Sequence, residues 1–250
     1  MRTIRIHVDA GLHAGSELPL PDAAAAHVQR VLRLRPGAEL TLFNGRGGEY
    51  AATLLRADRA GCVVRIDAFA EFERESPLRL TLLQGVSRGE RMDVIVQKAT
   101  ELGATRIEPL LTEFSVVKLD DATAGRRRAH WQAIAIGACE QCGRNRVPEI
   151  GMPQPFDRAL ASLPEATAAE RRIVLAPGAT ESLATLARPA PDDAHWQLLI
   201  GPEGGLSATE LRDAARRGFV AASLGPRILR TETAPLAALT LLQGLRGDLG

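Results

Sequence analysis

The chain has 250 residues, 45% of them hydrophobic, enough to bury one large core or two modest ones. A formal net charge of +1 leaves no strongly basic footprint, and three cysteines (Cys62, Cys139 and Cys142) make no disulfide framework. No apolar run nears the roughly 18 residues of a membrane helix, and Met1 to Gly11 lacks the apolar core and cleavage site of an export signal, so a cytoplasmic chain without a membrane partner is expected.

Thr3 to His7 alternates and predicts a strand. Residues 21–33 are Ala-rich with apolar residues at helical spacing and predict one short helix. Residues 39–44, 49–56 and 62–69 predict three more strands, the first two joined by a hairpin turn at Asn44-Gly45-Arg46-Gly47-Gly48. Several short strands with one helix suggest a small barrel. The charged stretch from Glu71 to Pro77 marks a domain boundary, giving domains 1–72 and 73–250. Beyond it the pattern alternates. Strands are expected at 79–85, 105–110, 173–176, 197–200 and 220–224, and helices at about 89–102, 124–141, 207–218 and 231–245. The helix at 207 opens on the capping box Ser207-Ala208-Thr209-Glu210. Strands alternating with helices imply an α/β domain with a mostly parallel sheet.

Three apolar strands of this second domain end in Pro- and Gly-bearing loops: Leu175-Ala176-Pro177-Gly178, Ile200-Gly201-Pro202-Glu203-Gly204-Gly205, and Leu224-Gly225-Pro226-Arg227-Ile228-Leu229-Arg230-Thr231-Glu232-Thr233. Ligands of open α/β sheets bind at such strand ends, and glycine lets backbone approach a ligand closely. A tight turn without any ligand uses the same residues, and capping alone explains Thr231 or Thr233. Neither the dinucleotide fingerprint nor the phosphate loop is present. Gly143-Arg144-Asn145-Arg146 follows a helix whose end carries Glu140, Gln141 and a Cys139-x-x-Cys142 spacing. A structural zinc site needs four ligands, so that pair reads as a helix end and no metal is expected. His27, Arg30 and Arg33 lie on or beside the first helix, where a solvated face and an RNA contact are both open readings. The basic residues are nearly all Arg, which suits phosphates and bases, although a GC-rich genome gives the same bias.

Taken together, His27-Val28-Gln29-Arg30-Val31-Leu32-Arg33, Gly45-Arg46-Gly47-Gly48-Glu49-Tyr50, Lys98-Ala99-Thr100-Glu101-Leu102-Gly103, Glu140-Gln141-Cys142-Gly143-Arg144 and the last two loops above resemble, in this order, the ribosomal RNA small subunit methyltransferase E family of the SPOUT class. Phe114, in Thr112-Glu113-Phe114-Ser115, stands where the resemblance leads one to expect Arg.

The resemblance implies an N-terminal PUA-like β-barrel that binds RNA and a C-terminal SPOUT α/β domain with a trefoil knot. It implies methylation of N3 of a uridine in 16S ribosomal RNA, in the 30S subunit, by a homodimer with a shared active site. The methyl donor, S-adenosylmethionine (SAM), is expected against Leu175, Pro177, Ile200, Gly201, Gly204, Leu224, Gly225, Ile228, Leu229 and Thr231. RNA is expected against His27, Arg30, Arg33, Arg46 and Lys98. For catalysis, Arg230 or Arg144 is expected to stabilise the uracil anion, and Glu232 or Glu140 to accept the proton or orient those arginines. Gly201→Val is expected to block the donor pocket with the fold intact. The alternatives are a silent RNA-binding protein, a SPOUT enzyme acting on another base or on transfer RNA, and an ordinary nucleotide-using α/β enzyme.

Overall fold

A computed structural model describes residues 4–115, 120–191 and 193–250, so Thr3 of the first expected strand lies outside the described residues. The chain divides into two compact units: one runs to Glu75 and takes in Ile136–Val147, the other comprises Ser76–Ala135 and Pro148–Gly250.

The first unit contains β1 (Arg5–His7), β2 (Glu17–Pro19), α1 (Asp22–Ala26), β3 (Glu39–Phe43), β4 (Glu49–Asp58) and β5 (Gly61–Ala70). Its sheet has the order β1-β3-β4-β5-β2, with β1 parallel to β3 and the other pairs antiparallel. Alternation sends Leu40, Leu42, Ala52, Leu54, Val64 and Ile66 into one core with Ile6 and Val28. The helix expected over 21–33 is shorter than its pattern. After α1 the chain widens into a π-helical turn, His27–Val31, where the Leu32 N–H donates to the His27 carbonyl at 3.0 Å. In a continuous α-helix Val28 and Val31 would share a face. The wider turn buries Val28 and leaves Val31 67% exposed. Strand β2 escaped the sequence reading because three residues are too few to show a period.

The second unit contains β6 (Arg79–Gly85), α2 (Glu90–Glu101), β7 (Arg106–Leu111), most of α3 (Asp121–Cys142), β8 (Glu149–Ile150), β9 (Gln154–Pro155), α4 (Phe156–Ser162), β10 (Glu170–Leu175), α5 (Leu183–Ala187), β11 (His195–Ile200), α6 (Ala208–Arg216), β12 (Val220–Ala222) and α7 (Thr233–Arg246). Seven parallel strands form its sheet in the order β12-β10-β11-β6-β7-β8, with β9 also on β7. A strand covered on both faces buries successive residues rather than alternate ones, as β6 does from Leu80 to Gly85 and β11 from Trp196 to Ile200. Leu83, Val174 and Leu199 pack under Phe156, Ala159 and Leu160 of α4 and Ala214 of α6. The elements β8, β9, α4 and α5 are too short to show a period and were not foreseen, although α5 carries a cap, the Ser182 hydroxyl accepting the Thr185 N–H at 3.1 Å. No helix of the described residues is long and apolar enough to cross a membrane.

The capping box forms in full. The Glu210 N–H donates to the Ser207 hydroxyl, and the Glu210 carboxylate accepts the Ser207 N–H. The same carboxylate accepts the Glu113 N–H at 2.8 Å, tying the loop after β7 to α6. Ser207→Ala is expected to cost about 1 kcal/mol of stability. Denaturant unfolding checks it, and Ser207→Thr should lose much less.

Candidate functional site

The carboxyl ends of β10, β11 and β12 feed three loops that line one cavity of about 590 Å³. Strand order makes these ends neighbours, with β10 lying between β11 and β12, although in sequence β11 and the helices α5 and α6 come between β10 and β12. Leu175, Pro177, Ile200, Gly201, Gly204, Leu224, Gly225, Ile228, Leu229 and Thr231 all line it, and so do Arg230 and Glu232. Ile228 stands 83% exposed at its edge.

The glycines of the middle loop serve the chain itself. A Cβ on Gly201 would lie 2.7 Å from the Gly205 carbonyl carbon, and one on Gly204 would lie 2.7 Å from the Phe114 Cβ. Gly205 has φ +73°, and its N–H donates to the Pro202 carbonyl at 2.9 Å. The room expected for a ligand at Gly201 is thus filled by backbone, so Gly201→Val would not leave the fold intact. Nor does Thr231 cap the following helix. Residue 232 caps α7 without a side-chain bond, while the Thr231 hydroxyl donates to the Gly201 carbonyl at 3.0 Å and joins two of the loops. Capping satisfies local N–H groups; here a carbonyl 30 residues away claims the hydroxyl.

Arg91, on the first turn of α2, is a lining residue the sequence reading missed. Its guanidinium donates to Glu203 Oε1 at 2.6 Å, an oxygen that also accepts the Arg88 N–H at 3.0 Å. Burial pushes the Glu203 carboxyl up, but the backbone N–H groups of Arg88 and Glu203 and the Arg91 guanidinium outweigh it and hold the group below the usual carboxylate range. Arg91 Nε also lies 3.7 Å from Glu232 Oε2. That oxygen is buried and has no hydrogen-bond partner among the described residues. Arg227 and Arg230 are exposed and form no ion pair among the described residues. An arginine in the first turn of a helix carries no periodic signal; only the acidic residue inside a Gly-rich turn, Glu203, hinted at a cation nearby.

The other expected site residues lie elsewhere. Arg144 and Glu140 belong to the first unit and do not line the cavity. The Arg144 side chain is 5% exposed and ion-paired with Glu75 at 2.7 Å. Glu140 accepts the His7 N–H at 2.9 Å, and burial pushes its carboxyl up. His27 sits in the π-helical turn, Arg30 and Arg33 are exposed beside it, and Arg33 alone among described non-glycine residues has a positive φ, +52°. Arg46 is exposed on the β3–β4 turn, 3.8 Å from Asp9. Lys98, in the second unit, pairs with Glu101 at 2.8 Å. Cys139 is buried and its thiol is pushed up to about 12, chiefly by desolvation, so it carries no thiolate at neutral pH. Iodoacetamide at pH 8 is therefore expected to label Cys139 only after unfolding; mass spectrometry of labelled peptides checks this. Among the described residues no group of three or more His, Cys, Asp or Glu could hold a metal ion.

Residues 74–243 match a family model described as an RNA methyltransferase domain, and residues 20–67 match one described as an RNA methyltransferase PUA domain. Ribosomal RNA small subunit methyltransferase E of Buchnera aphidicola from Schizaphis graminum is 34% identical over 249 residues, 99% of this chain and 98% of that one. The protein of that name from Bacillus subtilis is 32% identical, with 89% of each chain covered. Among solved structures, a Legionella pneumophila chain with bound SAM is 41% identical with a TM-score of 0.92. Ribosomal RNA small subunit methyltransferase E of Neisseria gonorrhoeae, bound to S-adenosyl methionine, is 36% identical with a TM-score of 0.90, and both structures cover 100% of both chains.

Proposed function

The chain belongs to the ribosomal RNA small subunit methyltransferase E family, and from that premise we propose that it transfers a methyl group from SAM to N3 of a uridine in 16S ribosomal RNA. The observation that carries the reading is the meeting of three strand-end loops around one cavity. Its volume falls within the range of roughly 300–1,000 Å³ common to small-molecule sites. Leu175, Ile200, Leu224 and Leu229 give apolar walls for a base and sugar, and Arg91, Glu203, Arg230 and Glu232 give charge for an ionised tail. Gly201, Gly204 and Gly225 present backbone, with Pro177, Ile228 and Thr231 completing the contact. When bound, SAM supplies a methyl carbon made electrophilic by its sulfonium.

The residues at the cavity do the remaining work. Uridine N3 carries a proton and is a poor nucleophile until that proton leaves. Arg230, exposed and unpaired among the described residues, stabilises the charge that develops on a uracil oxygen. Glu232, whose buried Oε2 faces Arg91 but makes no hydrogen bond among the described residues, accepts the N3 proton. These two are preferred to Arg144 and Glu140, which are engaged by Glu75 and by the His7 N–H. Arg227 adds a second unpaired cation at the cavity for the RNA backbone. His27, Arg30, Arg33 and Arg46 on the first unit, with Lys98 on the second, give further RNA contacts. The reading includes a PUA-like barrel, a SPOUT domain with a trefoil knot, a cytoplasmic setting and a homodimer whose shared site acts on the 30S subunit.

Transfer of label from methyl-tritiated SAM to 30S subunits lacking the modification tests the reading. Label in 16S RNA is expected; tight RNA binding without any transfer or SAM binding would overturn it in favour of a silent RNA-binding protein.

A further inference from the structure

Gln84 is the last side chain of β6, the strand next to β11, and it is wholly buried. A buried polar amide calls for partners. Its Nε2 donates to the Gly85 carbonyl at 3.1 Å and to the Gly201 carbonyl at 3.3 Å, and lies 3.4 Å from the Thr231 hydroxyl. Its Oε1 has no hydrogen-bond partner among the described residues. The nitrogen end is therefore what the fold uses, at the expense of the oxygen end. The Gly201 carbonyl accepts twice, from Gln84 and from Thr231. The Ser87 hydroxyl, also buried, lies 3.1 Å from that of Thr231.

The next residue points the same way. A Cβ on Gly85 would lie 2.4 Å from Pro202 Cδ and 2.5 Å from the Pro202 nitrogen. The strand end thus offers an amide to one residue of the Gly201-Pro202 turn and bare backbone to the other. Neither Gln84 nor Gly85 lines the cavity, yet both fix the loops that do.

We infer that Gln84 is a positioning residue for the methyl donor: its amide, through the Gly201 carbonyl and Thr231, locks the loops after β11 and before α7 into the shape that receives SAM. The inference rests on the proposed function, since it takes SAM as the cavity's ligand. Thr231 then acts through its bond to Gly201 rather than by its hydroxyl touching the donor. Buried hydrogen-bond networks of this kind act as units, so their members are not additive.

Calorimetric titration of SAM into the full chain tests this, with thermal melting and binding of a 16S RNA fragment read beside it. Gln84→Leu and Thr231→Val should each weaken SAM binding by about tenfold or more, as loss of a supporting shell does. The double variant should lose little beyond either one, and RNA binding should not change. Thr231→Ser, which keeps the hydroxyl, should restore SAM affinity to near that of the unaltered chain. If Gln84→Leu does not fold, the contrast between Thr231→Val and Thr231→Ser decides: equal SAM affinities in the two would overturn the network. If the unaltered chain binds SAM and the folded Gln84→Leu binds it equally well, this inference alone falls. If the unaltered chain does not bind SAM, the reading of the cavity falls and takes the inference with it.

Discussion

Arg230→Ala is expected to lower kcat for methyl transfer by about 10²–10³-fold, the size of effect that follows loss of one donor to a developing oxyanion. SAM affinity should change by no more than about threefold, because an interaction made only in the transition state leaves ground-state binding alone. The structural ground is the contrast among the cavity's arginines. Arg91 is held between Glu203 and Glu232, whereas Arg230 lines the same cavity without an ion pair among the described residues. An arginine already neutralised by two carboxylates has less to offer a growing negative charge than one that is unpaired. Single-turnover rates and SAM titration separate the two effects. Equal losses in rate and in SAM affinity would assign Arg230 to donor binding instead.

Gly201→Val should abolish measurable SAM binding and lower the melting temperature together. A Cβ there meets Gly205 carbon at 2.7 Å and Gly205 Cα at 2.9 Å, both backbone atoms of the turn itself. Overpacking typically costs about 1–3 kcal/mol, and here no flexible side chain can yield. The turn must open, and with it the Gly201 carbonyl leaves the Thr231 hydroxyl and the Gln84 amide. Gly61→Ala in the β4–β5 hairpin is the control. That glycine has φ +119° with nothing within 4 Å of an added Cβ. It should cost about 1 kcal/mol through backbone strain alone, with SAM affinity unchanged. A Gly201→Val protein that melts normally and binds SAM normally would refute the structural account of the loop.

Much of the cavity was legible in the sequence because its markers are local. An apolar run that stops at Gly or Pro announces a strand end, and three such stops supplied lining residues of one cavity. What joins those loops was not legible. Gln84 is one polar residue at the end of a strand, and its partners Gly201 and Thr231 lie over a hundred positions away by the separations of 117 and 147. Arg91 meets Glu203 across 112 positions. No period or spacing encodes such pairs. Thr231 shows the same limit: a threonine just before a helix fits a cap, and nothing local shows that a distant carbonyl takes its hydroxyl. The π-helical turn at His27–Val31 was hidden because its residues have ordinary helical spacing. Likewise, helical periodicity continues through α3 and gives no sign that Ile136–Val147 belongs with the first unit.

We propose that this cavity directs a methyl group to uridine N3 in 16S ribosomal RNA. The most direct test supplies the unaltered protein with methyl-labelled SAM and 30S subunits lacking the modification, digests the 16S RNA to nucleosides and identifies the labelled one by chromatography and mass spectrometry. Label in 3-methyluridine is the expected result. Label on a ribose, on another base or on another position of uracil would contradict it.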